Sequence, residues 1–90
     1  MSHHAPTGPI AILGLGYVGL PLALALARAN FDVVGLDTDP KLIATLHTGR
    51  DPNGEVADSS VSSSKATFTT DAADLVACTT YIIAVPTPIT

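Results

Sequence analysis

The chain has 90 residues, of which 47% are hydrophobic and 13% are charged, and its formal net charge at pH 7 is −4. This length is enough for one small core but short of the roughly 100–150 residues of a typical complete domain. Its hydrophobic content excludes an acidic disordered chain, and its four scattered Lys and Arg residues exclude a basic stretch for DNA or RNA. We therefore expect one small unit, or part of one, with no nucleic-acid partner.

The first predicted element is a buried strand over residues 10–13, a short run of apolar β-formers. Directly after it, GLGYVG places three of the chain's seven glycines within six residues. Residues 17–29 are then dominated by Leu and Ala, which predicts a helix of more than about three turns. Pro21 falls in its first turn, where a missing N–H costs least. Because this helix is apolar on nearly every face, we expect more than a sheet to cover it.

The rest of the chain continues the alternation of strands and helices. Residues 32–37, DVVGLD, predict a second strand, and Asp39 and Pro40 begin a second helix over residues 41–47. The serine-rich residues 49–65 predict a long surface loop, with a weak helical turn within it as an open alternative. The last elements are a brief strand over 66–70, a short helix over 71–78 and a buried strand over 81–85. Such alternation predicts right-handed crossovers and a parallel sheet. We expect an α/β fold over residues 10–90, a partial doubly wound sheet of about four strands, after a flexible leader over residues 1–9.

The three clustered glycines predict a phosphate-binding turn. In a crossover unit, the turn from the first strand into the first helix lies at the carboxyl edge of the sheet, where ligands bind. Gly14 allows a tight turn, Gly16 lacks the Cβ that would keep a pyrophosphate at a distance, and Gly19 lets the helix lie close to the strand. The helix dipole and free N–H groups favour an anion there. Because a strand precedes the motif and a helix follows it, we predict a Rossmann-type dinucleotide site.

An acidic residue ends the second predicted strand, since Asp37 lies eighteen residues after Gly19. A carboxylate at this place accepts hydrogen bonds from both ribose hydroxyls of an adenosine and repels a 2′-phosphate. NAD is therefore favoured over NADP as the cofactor. The alternative roles of Asp37 are a solvated carboxylate or the N-cap of the following helix, a role that Asp39 is equally able to fill.

No catalytic or metal-binding residue is predicted in this chain. The single cysteine, Cys78, lies before a buried strand and is interpreted as a small core residue. Because one cysteine cannot form an internal disulfide, the sequence suits a reducing compartment, and we expect the cytoplasm. The histidines His3, His4 and His47 have no Ser, Cys or paired acid at a supporting spacing.

Export or membrane insertion is an alternative interpretation of the N-terminal region. Residues 1–27 carry no Lys, Arg, Asp or Glu, and residues 10–27 have the apolar character of a signal-peptide core. A signal peptide has a positively charged start, however, and three glycines and Pro21 interrupt this stretch. A membrane span needs about 20 apolar residues without a Gly-rich centre. We therefore expect no association with a membrane.

Five segments together resemble one enzyme family. They are GLGYVGLPLA at 14–23, VVGLD at 33–37, GRDPNGEV at 49–56, FTTD at 68–71 and YIIAVPTP at 81–88. They are similar to the start of nucleotide-sugar dehydrogenases, the family of UDP-glucose, UDP-N-acetylhexosamine and GDP-mannose 6-dehydrogenases. The combination of GYVGLP with AVPTP at this distance is much more specific for this family than a glycine motif alone. The resemblance covers residues 10–90 and only the first part of the family's length.

The resemblance implies a set of cofactor contacts and a reaction. The implied NAD contacts are Gly14, Gly16, Tyr17, Val18, Gly19, Asp37 and Thr87. The implied reaction is oxidation of the C6 alcohol of a UDP-sugar to a carboxylate, with two NAD and a covalent cysteine thiohemiacetal. In the family the catalytic groups and the sugar-nucleotide domain lie beyond this chain, and Cys78 matches none of them. The GRDPNGEV loop favours a UDP-N-acetylhexosamine as the substrate.

Two departures from the family pattern are visible. Many relatives have a basic residue five positions after the ribose acid, where this chain has Leu42, with Lys41 one residue earlier. The SSVSSSK stretch at 59–65 stands where relatives tend to carry a helix.

Two functions stay open at this point. One is the NAD-binding part of a nucleotide-sugar dehydrogenase, and the other is a free-standing module that binds NAD or another adenine nucleotide without catalysis. The length of ninety residues favours binding without turnover. The detail of the motifs favours descent from the enzyme. Self-association is also expected, because part of the apolar surface lacks cover.

Overall fold

The computed structural model describes residues 8–52, 54 and 56–84. Its elements, in chain order, are β1 (Ile10–Leu13), α1 (Gly19–Arg28), β2 (Val33–Leu36), α2 (Pro40–His47), α3 (Asp58–Ser62), β3 (Thr67–Thr69), a 3₁₀ turn (Ala72–Leu75) and β4 (Thr80–Ile83). The strands form one parallel sheet in the order β3-β2-β1-β4. The predicted α/β fold with a four-stranded parallel sheet is thereby confirmed.

The strand order reverses beside β1. The chain steps from β1 to β2 to β3 in one direction and then crosses to β4 on the other side of β1. In register, Ala11 of β1 lies between Val34 of β2 and Tyr81 of β4. A reversal of this kind is the switch point of a doubly wound sheet, and ligands bind outside the carboxyl ends of the strands there.

Two apolar clusters of different size cover the two faces of the sheet. The larger cluster joins the three helices to alternate residues of the strands and includes Ile12, Leu20, Ile43, Val61 and Phe68. The smaller cluster, on the opposite face, consists of Ala11, Leu75 and Cys78. Cys78 is buried, as expected for a core residue, and burial raises the pKa of its thiol. This thiol is therefore poorly suited to act as a nucleophile.

The first helix is shorter than predicted. It begins at Gly19, two residues after the predicted start at Tyr17, because Tyr17 and Val18 belong to the turn that leads into it. Its cover is also less complete than expected. Leu20, Ala23 and Leu24 are buried, whereas Ala25 is exposed on the opposite side.

Two predictions for the second half of the chain need correction. Residues 49–65 contain the five-residue helix α3 over Asp58–Ser62, so the helical turn left open for this loop is present, and the expected departure from relatives at 59–65 is wrong. Serine has little intrinsic helix preference, and the burial of Val61 in the larger cluster supplies the missing stabilisation. The helix predicted over 71–78 is only the 3₁₀ turn Ala72–Leu75, in which Asp71 accepts a hydrogen bond from the Ala73 N–H at 2.9 Å.

The described part of the predicted leader contacts the body of the fold. The Pro9 carbonyl oxygen accepts a hydrogen bond from the Thr79 N–H at 3.0 Å, just before β4. Residues 1–7, which include His3 and His4, lie outside the described residues. Within the described part of the chain, no helix has both the length and the apolar character needed to cross a membrane.

The face of the sheet that carries the smaller cluster leaves apolar side chains in contact with solvent. This open face consists of Leu13, Leu36, Tyr81 and Ile83. Leu13 lies in register between Leu36 and Ile83, and Ile83 is 70% exposed. Full burial of one such side chain contributes about 1.5–3 kcal/mol, and here that contribution is incomplete.

We therefore expect the chain alone to be marginally stable and to self-associate as its concentration rises. Sedimentation velocity across a concentration series, with thermal melts followed by circular dichroism, measures both properties. Ile83→Thr keeps a β-branched side chain and lowers the apolar area, so it should shift the series toward monomer. A sharp cooperative melt from a species that stays monomeric at every concentration would contradict this expectation.

Candidate dinucleotide-binding site

A hollow of about 110 Å³ lies at the carboxyl edge of the sheet, where β1 and β2 end. It is lined by Gly14, Leu36, Asp37 and Thr38. The glycine turn and the acidic residue that sequence patterns single out therefore meet at one place. The parallel pairing of β1 with β2 causes this meeting, because it brings both strand ends to the same edge.

Gly14 makes the turn out of β1. Its φ is +101°, a conformation that side chains with a Cβ rarely adopt. Its N–H donates to the Leu36 carbonyl oxygen at 2.8 Å, which continues the pairing of β1 with β2 by one residue. The chain then leaves the sheet and enters α1 within a few residues.

The absence of a Cβ has different consequences at Gly16 and at Gly19. A Cβ built on Gly16 meets no atom within 4 Å, so the absent side chain leaves open space at the surface. A Cβ built on Gly19 lies 1.6 Å from the Gly14 carbonyl oxygen. Gly19 is therefore required for the close packing of α1 against the turn, whereas the protein's own packing places no such demand on Gly16.

The N-terminus of α1 is open toward the same edge. Val18 occupies the N-cap position and its side chain makes no capping hydrogen bond. At this terminus the Leu20 N–H donates to the Gly16 carbonyl oxygen at 3.2 Å and Pro21 has no N–H, so the N–H groups left for an external acceptor are those of residues 17–19. Tyr17 and Val18 are each 67% exposed. A bound anion at this terminus would therefore contact backbone N–H groups and two accessible side chains.

Asp37 accepts hydrogen bonds from two segments of backbone. Its Oδ2 accepts from the Leu15 N–H at 3.0 Å, and its Oδ1 accepts from the Asp39 N–H at 3.0 Å. The N-cap of α2 is instead Asp39, whose Oδ1 accepts from the Lys41 N–H at 2.9 Å. Of the alternatives left open for Asp37, the structure thus assigns the capping role to Asp39.

Two residues of this site have no role in the sequence analysis. Leu15 lies between the first two glycines of the motif, and its side chain is fully buried. A Cβ on Gly35 of β2 would lie 2.7 Å from Leu15 Cδ2, so Gly35 provides the space in which Leu15 packs. An apolar residue inside the glycine motif and a glycine inside a strand are the only signals for this contact.

The remaining predicted residues lie away from this hollow or outside the described residues. Thr87 is outside them. Lys41 and Leu42, which mark a departure from the family pattern, line a separate cleft of about 230 Å³ beside α2. His47 Nε2 lies 2.8 Å from the Phe68 carbonyl oxygen, a contact that ties α2 to β3. Over residues 8–52, 54 and 56–84, no three His, Cys, Asp or Glu side chains are grouped to hold a metal ion.

Comparison with known proteins gives a consistent set of relatives. The model of the "UDP-glucose/GDP-mannose dehydrogenase family, NAD binding domain" matches residues 9–90. The UDP-N-acetyl-D-glucosamine 6-dehydrogenases of Salmonella typhi and Pseudomonas aeruginosa are 43% and 42% identical to the chain, each over 81 residues. Each match covers 89% of this chain and 19% of the relative, so the chain spans about a fifth of their length.

Solved structures of similar proteins share the fold. The UDP-D-ManNAc dehydrogenase from Pyrococcus horikoshii matches with a TM-score of 0.81 and 33% identity, over 91% of this chain and 21% of that one. The GDP-mannose dehydrogenase from Pseudomonas aeruginosa, solved as a ternary complex, matches with a TM-score of 0.79 and 28% identity, over 90% and 20% of the two chains.

Proposed function

Since this chain belongs to the UDP-glucose/GDP-mannose dehydrogenase family, as its NAD-binding domain, we propose that it holds NAD for the oxidation of a UDP-sugar at C6. The observation that carries this proposal is the open space at Gly16, which lies beside an uncapped helix N-terminus and one residue after Leu15, whose N–H donates to Asp37. A turn required only by the fold would need Gly14 and Gly19 but would not need a glycine at position 16.

The pyrophosphate of NAD would lie over Gly16. The N–H groups of residues 17–19, in the turn and at the first position of α1, would donate to its oxygens, and the helix dipole favours its negative charge. The exposure of Tyr17 and Val18 supports a contact of both with the dinucleotide. Thr87 joins this set by family resemblance alone.

The adenosine ribose would lie against Asp37. Each carboxylate oxygen has two acceptor positions, and each accepts one backbone N–H here, so both can still accept a ribose hydroxyl. A 2′-phosphate at this place would meet a negative charge, which favours NAD over NADP. This chain's residues therefore bind and orient the cofactor, and the nicotinamide of NAD supplies the hydride acceptor when it is bound.

For the whole protein we propose a UDP-N-acetylhexosamine as the substrate and the cytoplasm as the location. The GRDPNGEV loop supports the substrate, as do the names of two relatives that are 43% and 42% identical over 81 residues. The free, buried Cys78 thiol suits the reducing cytoplasm.

We expect this chain to bind NAD without turning over a substrate. Hydride transfer needs a surface that holds the sugar C6 at the nicotinamide and a base that takes the alcohol proton. The polar groups described at this edge, chiefly Tyr17 and Asp37, are assigned to the cofactor, and Thr87 is assigned to it by family resemblance. Calorimetric titration with NAD should show saturable binding. NADH absorbance should stay flat with UDP-glucose, UDP-N-acetylglucosamine or GDP-mannose.

A second polypeptide, made from the part of a relative that this chain does not match, should supply the substrate-binding surface and allow NADH to form when it is added. Turnover by the ninety residues alone, lost in Cys78→Ala, would contradict both this proposal and the assignment of Cys78 to the core. Failure of the chain to bind NAD at all would overturn the proposed function itself.

A further inference from the structure

Beyond the hydrogen bond from Gly14 to Leu36, the glycine turn makes two further contacts, one with β2 and one with the residue that follows β2. The Leu15 side chain packs against Gly35, and the Leu15 N–H donates to Asp37 Oδ2 at 3.0 Å. Both contacts act on the residue directly before Gly16. They therefore fix the direction in which the chain passes Gly16 and enters α1.

The carboxylate that makes the second contact is itself fixed. Its other oxygen accepts the Asp39 N–H at 3.0 Å, so Asp37 bridges the turn after β1 and the turn after β2. Asp37 is half-buried, and hydrogen bonds from N–H groups to a charged acceptor are stronger than those to a neutral one.

From this bridge, and on the basis of the proposed NAD site, we propose that Asp37 is a positioning residue for the pyrophosphate as well as an acceptor for the ribose. By holding the Leu15 N–H, it keeps the turn in the conformation that leaves the space at Gly16 open. Without this hydrogen bond the turn samples other conformations, and the apparent affinity for a phosphate ligand falls in proportion to the fraction that is competent to bind.

Inorganic pyrophosphate separates the two roles of Asp37, because it has no ribose. The central variant is Asp37→Ala, which removes both acceptor oxygens. Asp37→Asn is the conservative variant, since its single amide oxygen can face Leu15 or Asp39 but not both. Asp39→Asn is the matched control. It removes the same charge two residues away, and Asn caps a helix about as well as Asp.

Two quantities are measured for each variant: the hydrogen-exchange rate of the Leu15 amide by NMR, and the dissociation constant of pyrophosphate. In Asp37→Ala we expect Leu15 exchange to be faster by about tenfold to one-hundredfold. We expect pyrophosphate binding to be weaker by about threefold or more. Asp37→Asn should lie between Asp37→Ala and the parent. Asp39→Asn should leave Leu15 exchange unchanged.

Loss of charge cannot explain weaker pyrophosphate binding, because removal of a nearby negative charge favours an anion. Asp39→Asn measures the size of this opposing effect. If Asp37→Ala does not fold, the Leu15 exchange rate and the pyrophosphate dissociation constant of Asp37→Asn test the proposal instead.

Unchanged Leu15 exchange and unchanged pyrophosphate affinity, together with weaker NAD binding, would restrict Asp37 to the ribose and overturn the inference. If the parent binds neither NAD nor pyrophosphate, the proposed function fails. Leu15 exchange then still decides whether Asp37 holds the turn.

Discussion

Gly16→Val is expected to abolish NAD binding while leaving the chain folded. A side chain at this position meets no protein atom within 4 Å of its Cβ, and Gly16 does not have a positive φ. The valine methyl groups would instead occupy the space assigned to the pyrophosphate. The pyrophosphate cannot move aside to avoid this overlap, because the N–H groups expected to bind it lie in the same turn, at the start of α1.

The expected loss of NAD affinity is about one-hundredfold or more, equivalent to at least about 2.7 kcal/mol. Calorimetric titration with NAD measures it, and circular dichroism melts report the fold. Ala25→Val is the matched control, because it adds the same side chain to the exposed side of α1 away from the carboxyl edge. Equal NAD affinities of Gly16→Val and the parent would show that no ligand passes over Gly16.

Gly19→Ala is expected to unfold the chain. The added Cβ would lie 1.6 Å from the Gly14 carbonyl oxygen and 2.8 Å from its carbon, and both are backbone atoms. To remove this overlap, α1 must move away from β1 and open the larger core cluster. Overpacking costs about 1–3 kcal/mol and occasionally more, and a clash with backbone lies at or above the upper end of this range.

The direction of the change in stability separates the two possible outcomes of Gly19→Ala. In a helix without such a contact, Gly→Ala stabilises by about 0.5–1 kcal/mol. Urea denaturation midpoints of the parent and Gly19→Ala, followed by circular dichroism, separate the two cases. A midpoint equal to or above that of the parent would mean that α1 does not depend on its close approach to Gly14.

Local patterns in the sequence were sufficient to predict the parallel sheet and the meeting of Gly14 and Asp37 at its carboxyl edge. Apolar runs bounded by glycine or proline mark the strands, and the spacing from Gly19 to Asp37 places the acid at the end of β2. The Pro40 start of α2 follows from Asp39 and Pro40, because capping acts within a few residues. Features set by near neighbours along the chain are predictable in this way.

Features that depend on distant residues were predicted incompletely or not at all. The helix α3, left open only as a weak helical turn, is built from poor helix formers and depends on the burial of Val61 against other elements. The contact of Leu15 with Gly35, and the hydrogen bond from the Leu15 N–H to Asp37, join residues twenty or more positions apart. No periodicity in the sequence specifies either contact. Both arise when β1 and β2 pair in register and bring their ends together.

An NMR titration of the chain with NAD, followed residue by residue through backbone amide shifts, tests the central claim most directly. We predict saturable shifts concentrated at residues 14–19 and 37–39, with smaller shifts at the same concentration of NADP. A different cleft of about 220 Å³ is lined in part by Arg28, Ser60 and Lys65, and its two cationic side chains make it the alternative place for an anionic ligand. Shifts centred on that cleft, or no saturable shifts at residues 14–19, would contradict the assignment of NAD to the carboxyl edge of the sheet.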